Sequence, residues 1–184
     1  MQSCIYDIIC VTESWLNGSL TSDFLCANTV YTLYRQDRKS REGGGVCVFV
    51  KQGLIVEKIN FLSDDSELEV LCLDISVPNC SENLCRLILV YRTPAESFEN
   101  CLFLLQCLES LFFVAKGRIV VLGDFNLPLI DWQNLKLLSF DKFHLEFFEF
   151  FQKCFLTQFV HEATRESAVL FFVMTFYLWM IFRF

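Results

Sequence analysis

Residues 120–132 of the chain read VVLGDFNLPLIDW, and this stretch decides how the rest of the sequence is interpreted. A β-branched apolar run ends at Leu122, and Gly123 then leads into Asp124 and Asn126. We predict that the run is a strand and that both polar side chains point into one cleft, because side chains two residues apart in extended chain share a face. A carboxylate and an amide in this position can hold Mg²⁺, activate water or hold a phosphate oxygen, although Asp and Asn also form ordinary turns.

The composition is that of one apolar domain with little positive charge. Of the 184 residues 54% are hydrophobic, and a chain of this length builds a single sizeable core. The formal net charge of −7 argues against a broad phosphate-binding face, because such faces are built from clustered Lys and Arg. A small basic track remains, in what we predict to be a polar loop, and it can be either a solvated loop or a DNA contact. Its members are Arg35, Arg38, Lys39 and Arg41.

The cysteines indicate a reducing environment. The ten cysteines contain no C-x-x-C pair, and only His144 and His161 could join them in a zinc site. We interpret them as reduced, mostly buried small hydrophobes. No charged segment followed by an apolar run opens the chain, so secretion and a disulfide framework lack support. The expected location is intracellular, in the cytoplasm or the nucleus.

Short apolar or alternating runs predict a sheet-rich core with two helices. The predicted strands are 5–11, 46–51, 54–60, 68–76, 86–91 and 118–122. Between the last two strands, apolar residues from Phe98 to Phe112 recur at spacings of three and four, which predicts a helix with Ser97 as its N-cap. A second helix is predicted from Phe143 to Phe155, with an aromatic stripe that we interpret as core.

Two further apolar runs are followed by polar side chains. The run IICVT precedes Glu13, which can be a metal carboxylate or, capped by Thr12, the acid at the start of a helix. The run LILV precedes Tyr91 and Arg92, which could orient a phosphate and pair with it. Together with the stretch at 120–132, these strand ends form a coherent set for metal-assisted phosphodiester chemistry.

In this order, the segments of the chain resemble the endonuclease domain of non-LTR (LINE-type) retrotransposons, within the endonuclease/exonuclease/phosphatase superfamily. The segments are DIICVTESWL, YRQDR with REGGGVCVFVK, LVYRTP, VVLGDFNLPLIDW and QFVHEATRES. The resemblance implies an α/β fold, a four-layer αββα sandwich, over residues 1–167, followed by an apolar tail at 168–184 that is unlike the family. It also implies nicking of target DNA, with Mg²⁺ or Mn²⁺, to prime a reverse transcriptase.

The resemblance also implies a role for individual residues. It makes Glu13 the metal ligand, Asp124 the acid that activates water and Asn126 the group that supports the phosphate. Tyr91 falls in the catalytic set, and Arg92 falls beside it as a phosphate or DNA contact.

Two more matches lie downstream. Thr164 and Arg165 match the Thr-Arg pair of a phosphate- or DNA-binding loop, with Ala163 where the family usually has Pro. Asp131 and Trp132 match the family's usual Asp-Trp, which we interpret as structural.

The chain also departs from the family. The family's first strand carries an Asn that helps to build the metal site, and we expect this Asn to be missing here. After the Thr-Arg pair, the family has a Leu-Asp-Leu strand and then Ser-Asp-His, whose Asp and His complete the active site. The segment after Arg165 contains neither Asp nor His, and Phe171 stands near the place of the first Asp. We therefore expect an impaired nuclease; the alternatives are an inert fragment and a phosphatase of the same superfamily.

The apolar tail has two interpretations. Residues 168–182 are almost all apolar, but a membrane-spanning helix needs roughly 17 to 20 or more such residues. With Arg183 beyond it, the segment could be a tail anchor. The favoured alternative is a truncation or frameshift that replaced the family's ending, so we expect no membrane partner.

Overall fold

The computed structural model describes residues 6–27, 29–39, 42–63, 66–79, 83–115, 117–160, 162–164, 169 and 171–176. The described strands are β1 Ile8–Thr12, β2 Tyr31–Gln36, β3 Val46–Lys51, β4 Ile55–Lys58, β5 Glu69–Ser76, β6 Asn83–Tyr91, β7 Ile119–Asp124, β8 Ile130–Asp131, β9 Lys136–Leu137, β10 Thr157–Gln158 and β11 Phe171–Phe176. The described helices are α1 Ser22–Cys26, α2 Phe98–Phe113 and α3 Lys142–Lys153.

The periodicity of the sequence predicted the main elements. The bounds of β3 agree with the prediction, and β1, β4, β5, β6 and β7 differ from theirs only at the ends. α2 begins where predicted because the Ser97 hydroxyl accepts a hydrogen bond from Asn100 N at 3.1 Å. α3 ends at Lys153, so Phe155, which we placed in the second helical stripe, lies beyond the helix and is 77% exposed.

The polar-loop prediction for the basic track is wrong for Arg35, which lies on β2. Tyr31 and Leu33 of this strand are buried, and β2 pairs with β3 from Tyr31 to Gln36. Buried and exposed residues alternate at the start of this short strand. The alternation was not evident in the sequence because polar residues follow it. Ser40 and Arg41 lie outside the described residues.

Two sheets pack face to face. One is three-stranded and antiparallel, with the order β1-β3-β2, and the other is six-stranded, with the order β10-β11-β7-β6-β5-β4. β6 and β7 pair in parallel, joined by α2, and the other pairs of the larger sheet are antiparallel. The core between the sheets consists of Val46, Val48, Val50, Leu71, Leu73, Ile75, Leu87 and Leu89.

The second core lies between the larger sheet and the helices α2 and α3. Phe147 of α3 is fully buried there, with its ring centre 5.1 Å from that of Phe125. On the side of the smaller sheet, the short helix α1 contacts β2. The protein is therefore a mixed α/β sandwich of two packed sheets, with α2 and α3 covering the larger one.

Part of the apolar tail is a strand of the larger sheet. β11 pairs antiparallel with β7, and Phe171 stands opposite Asp124 in the register. Within the described ranges, no helix is long and apolar enough to cross a membrane. The division of the chain at residue 168 stays a prediction, but the described segment 171–176 contributes to the same sheet as the residues before it.

The cysteine interpretation is confirmed for four residues. Cys47, Cys72, Cys101 and Cys107 are buried, the last three in the core between the larger sheet and the helices, and the eight cysteines in the described ranges are free thiols. Burial raises the pKa of the Cys72 thiol to about 12, so this side chain remains protonated and behaves as a small hydrophobe.

Candidate active site

The ends of β6 and β7 bring two predicted site residues together. The two strands run in parallel, and Tyr91 stands opposite Asp124 in their register. Arg92 N donates a hydrogen bond to Asp124 O at 2.9 Å, which continues the pairing one residue further. Because both strands end at the same edge of the sheet, the residues that follow them share one surface.

Gly123 permits the close approach of these two strand ends. Its φ is 145°, a conformation that other residues rarely adopt. A Cβ at this position would overlap Val90 O and would lie 2.8 Å from Val90 C and 2.9 Å from Val90 N. The glycine therefore sets the position of Asp124 relative to Tyr91.

Glu13 joins this surface from the other sheet. Tyr91 Oη donates a hydrogen bond to Glu13 Oε1 at 2.8 Å, which links two residues 78 positions apart in the chain. Glu13 follows β1 with a left-handed φ of 52°, and α1 begins only at Ser22. The interpretation of Glu13 as the first acid of a helix is therefore wrong, because a tight turn replaces the predicted helix start.

A glycine turn holds the segment after Glu13. The carbonyl oxygens of Gly44 and Gly45 accept hydrogen bonds from Trp15 N at 2.8 Å and from Ser14 N at 3.0 Å. Gly44 and Gly45 have φ values of 66° and 80°, which glycine tolerates without steric cost. The turn thus fixes the backbone on which the Glu13 carboxylate stands.

A buried ion pair supports the glycine turn, and the sequence did not reveal it. Arg38 Nε donates to Glu69 Oε1 at 2.7 Å, and Arg38 Nη2 lies 2.5 Å from the same oxygen without an N–H aligned for a hydrogen bond. The other oxygen of Glu69 accepts from Gly45 N. The two side chains are only 9% and 5% exposed. The Arg38 guanidinium also lies 5.6 Å from the centre of the Tyr91 ring, so the pair connects the turn to the tyrosine.

The basic track therefore offers less positive charge to a ligand than its sequence indicated. Arg35 Nε donates to Asp37 Oδ1 at 2.8 Å, and its other nitrogens donate to Leu20 O at 2.6 Å and Asn17 O at 2.8 Å. Arg35 and Arg38 are thus both used inside the protein. The charges were visible in the sequence, but Glu69, Leu20 and Asn17, which bind them together with Asp37, lie outside this segment.

Arg92 is buried and turned inward. Its Nε donates to Phe125 O at 2.6 Å, its Nη2 donates to Asn126 O at 2.7 Å, and the guanidinium lies 4.6 Å from the centre of the Phe143 ring. The residue is 6% exposed. The predicted phosphate contact of Arg92 finds no support in this position, and the arginine instead braces the loop after β7.

Asp124 and Asn126 form a compact turn. Asp124 Oδ1 accepts a hydrogen bond from Asn126 N at 3.0 Å, and Asn126 Nδ2 donates to Arg92 O at 2.7 Å. Asn126 has a left-handed φ of 51° and is 7% exposed. The prediction that the two side chains share a face of extended chain is wrong for this reason, although Asp124 stands opposite Tyr91 and Asn126 contacts the residue after it. The turn-forming role that the sequence left open is confirmed.

The Tyr91 hydroxyl is held in its protonated form. Burial, the hydrogen bond to Glu13 and the charge of Glu13 raise the pKa of Tyr91 to about 12; the charge of Asp124 acts in the same direction and Arg38 opposes it. Tyr91 is therefore a hydrogen-bond donor at neutral pH and not a base.

Replacing Glu13 by Gln should lower the pKa of Tyr91 from about 12 toward its ordinary value of 10.0, because the amide keeps the acceptor but removes the charge. Spectrophotometric titration of the tyrosines measures the shift, and Tyr91→Phe identifies the transition. Glu109→Gln is a matched control, because Glu109 pairs with Lys153 on the helices instead. An unchanged Tyr91 transition in Glu13→Gln would contradict the contact.

The donor set fits a divalent cation only in an open, mostly hydrated form. In the described part of the chain, no three His, Cys, Asp or Glu side chains converge on one point. Glu13 supplies a single exposed carboxylate. Mg²⁺ is often bound by one or two carboxylates together with waters and substrate phosphates, so Glu13 is compatible with such a site. The described residues do not form a closed cage of protein ligands.

The predicted Thr-Arg pair is only partly described, and the described histidine has a structural role. Thr164 is described and exposed, whereas Arg165 and His161 lie outside the described residues. His144 Nδ1 lies 2.5 Å from Oδ1 of Asp141, the N-cap of α3. The histidine is thus part of the helix start, and it does not substitute for a catalytic histidine.

The structural interpretation of the Asp-Trp pair is confirmed. Asp131 accepts hydrogen bonds from Asn134 N at 3.1 Å and Asn134 Nδ2 at 2.9 Å, and this lowers the pKa of its carboxyl. Trp132 is 5% exposed, and its ring centre lies 5.0 Å from that of Phe151.

Solved structures of nucleases and phosphatases share this fold. An AP endonuclease from Archaeoglobus fulgidus superposes with a TM-score of 0.58 at 12% identity, covering 92% of this chain and 76% of its own. A 3' phosphatase, NExo from Neisseria, bound to a product DNA hairpin, gives 0.57 at 13%, with the same two coverages. An endonuclease/exonuclease/phosphatase family protein from Bacteroides thetaiotaomicron gives 0.56 at 12%, covering 94% and 68%.

These similarities define the fold of the chain. The chain has the sandwich fold that these endonuclease/exonuclease/phosphatase proteins share, as the sequence predicted. Neither the protein-family models nor the curated proteins contain a match.

Proposed function

We propose that the chain is a metal-dependent DNA endonuclease domain derived from a non-LTR retrotransposon, and that this copy is catalytically impaired. The observation that carries the proposal is the hydrogen bond from Tyr91 to Glu13, because it joins two strand ends of different sheets beside Asp124. The solved structures with this fold include a protein bound to product DNA, which supports a nucleic-acid substrate.

In the proposed reaction, water attacks the phosphorus of a DNA phosphodiester. Asp124 accepts the proton of the water as its oxygen bonds to phosphorus, and the bond from phosphorus to the leaving oxygen breaks. Tyr91, which keeps its proton and donates a hydrogen bond to Glu13 Oε1, holds the Glu13 carboxylate at the phosphate side of the cluster. Asn126 orients Asp124 by donating its backbone N–H to the Asp124 carboxylate. Support of the phosphate is the other role that we propose for Asn126. Thr164 and Arg165 remain proposed contacts to DNA, as does Mg²⁺ or Mn²⁺ at Glu13, where the cation would polarise a phosphoryl oxygen.

The proposed impairment rests on the residues that stand where the resemblance would place the catalytic Asp. The segment after Arg165 supplies neither Asp nor His, and the place opposite Asp124 in the sheet is taken by Phe171. Removal of one member of a catalytic set commonly lowers the rate by several powers of ten. The inward position of Arg92 weakens phosphate binding in the same direction.

Purified residues 1–184 should nick supercoiled plasmid, in Mg²⁺ or Mn²⁺, no faster than the variants Asp124→Ala and Glu13→Ala. The reason is that Phe171 stands opposite Asp124, where the family resemblance would place an Asp. Nicking that disappears in both variants would contradict the impairment and reveal a working, rebuilt site.

Binding of Mn²⁺ tests the site apart from its activity. Titration followed by the electron paramagnetic resonance of free Mn²⁺ should show weak binding by the unaltered chain and less binding by Glu13→Ala, with Glu109→Ala as the control. Equal binding by all three would favour an inert fragment. Phosphate release from inositol phosphates would favour the phosphatase alternative.

A further inference from the structure

An exposed indole stands directly beside the Glu13 carboxylate. Trp15 is 65% exposed, and its Nε1 lies 3.5 Å from Glu13 Oε2, while Tyr91 donates to the other oxygen of that carboxylate. Trp132 shows the usual alternative for this residue type, since it is 5% exposed and packed among phenylalanines. Trp15 is therefore both exposed and located at the candidate active site.

The protein holds this indole in one place. Trp15 N donates to Gly44 O at 2.8 Å. The benzene half of the indole lies against Gly43, where a Cβ would be 3.5 Å from Cε2 and from Cζ2. The φ of Trp15 is 55°, which bulky residues rarely adopt. An exposed ring held by its own backbone loses little freedom when a ligand contacts it.

The charge of the protein favours a ligand that is recognised by stacking. The net charge is −7, and Arg35 and Arg38 are paired with Asp37 and Glu69. Attraction of phosphates by clustered cations is therefore weak near Trp15 and Glu13. Stacking of a base on an aromatic ring needs no such charge and tolerates any sequence, because every base presents a flat face.

We propose that Trp15 is a stacking platform for the base of an unpaired nucleotide beside Glu13 and Tyr91. This rests on the proposed DNA substrate and adds the class of DNA that the site takes, namely single-stranded or locally unpaired DNA. A base in a duplex is stacked on its neighbours and does not offer its face to the indole.

The test is binding of fluorescein-labelled oligo(dT), measured by fluorescence anisotropy in EDTA so that no cleavage occurs. Trp15→Ala and Trp15→Gly should bind about 5- to 100-fold more weakly than the unaltered chain, and Trp15→Phe within about threefold of it, since stacking contributes most of this difference. The glycine variant accepts the left-handed backbone without strain. Thermal unfolding checks that each variant is folded.

An oligonucleotide with abasic sugars in place of thymidines completes the cycle. It should bind the unaltered chain as weakly as oligo(dT) binds Trp15→Ala, and Trp15→Ala should weaken its binding no further. Phe113→Ala is the matched control, because Phe113 is 92% exposed and ends α2, which leads into the opposite end of β7. It should bind as the unaltered chain does.

Three results would overturn the inference: undetectable binding by the unaltered chain, unchanged binding by Trp15→Ala, or a further loss with the abasic oligonucleotide. The last result would mean that Trp15 acts only by orienting Glu13. Binding is measured without cleavage, so a chain that does not nick DNA but shows the stacking pattern supports the inference. If the unaltered chain nicks DNA and Trp15→Ala binds DNA equally well, the stacking inference is contradicted and the proposed function is not.

Discussion

Gly123→Ala should destabilise the protein by about 4 kcal/mol or more, a large fraction of the roughly 5 to 15 kcal/mol that stabilises a domain. The new Cβ would overlap Val90 O and approach Val90 C to 2.8 Å. These are backbone atoms of the neighbouring parallel strand, which cannot rotate away as a side chain can. The backbone φ of 145° adds strain of its own.

Two other glycines separate these causes. Gly53 has a φ of 103° with no atom within 4 Å of a Cβ, so Gly53→Ala should lose only the conformational part, about 1 to 3 kcal/mol. Gly18 has open space and no such φ, and Gly18→Ala should change stability by less than about 0.5 kcal/mol. Urea denaturation followed by circular dichroism gives the three values. A Gly123→Ala variant as stable as Gly53→Ala would show that the strands do not approach as closely as described.

Glu69→Ala should cost about 3 to 5 kcal/mol of stability, because it leaves the Arg38 guanidinium buried without its carboxylate. The substitution also removes the acceptor of Gly45 N, in the turn that holds the segment after Glu13. The double variant Arg38→Met with Glu69→Gln should recover most of the loss, since Met is apolar and Gln retains an oxygen for Gly45 N. Urea denaturation of Arg38→Met, Glu69→Gln and the double variant gives the coupling energy.

The ion pair of Asp74 and Arg86 is the matched comparison. It is similarly buried, with side chains 12% and 7% exposed, and Arg86 also donates to Leu111 O at 2.9 Å. Asp74→Ala should therefore lose a similar amount of stability. Of the two variants, Glu69→Ala should change the pKa of Tyr91, because Arg38, the partner of Glu69, lies over the Tyr91 ring. Asp74→Ala should leave that pKa unchanged. Loss of the Tyr91 shift in both variants would indicate general unfolding of the site and not a specific support.

Positioning by buried charge is the part of the site that sequence reasoning missed. Glu69 opens a strand whose following residues are apolar, and an acid in this position is typical of a solvated strand end. Its burial depends on Arg38 and Gly45, which approach it only after the two sheets pack. The same holds for Arg92, whose acceptors belong to the loop after the next strand.

The sequence by itself determined which segments form the main strands and the two long helices. Periodicity of apolar residues, the Ser97 cap and the glycine of GDFN are local signals, and each acts over a few residues. The same local signals placed Glu13, Tyr91 and Asp124 at strand ends, although they left open a helix start at Glu13, where a left-handed turn exists.

The tertiary structure alone decided which of these polar groups meet and which way they face. The contact of Tyr91 with Glu13 spans 78 residues and two sheets, so no local pattern encodes it. The apolar segment at 171–176 became a strand because β7 pairs with it along its length. The sequence does not show whether a charged side chain is buried. Burial of a charge is tolerated only where a partner satisfies that charge, and here the partner comes from a distant part of the chain.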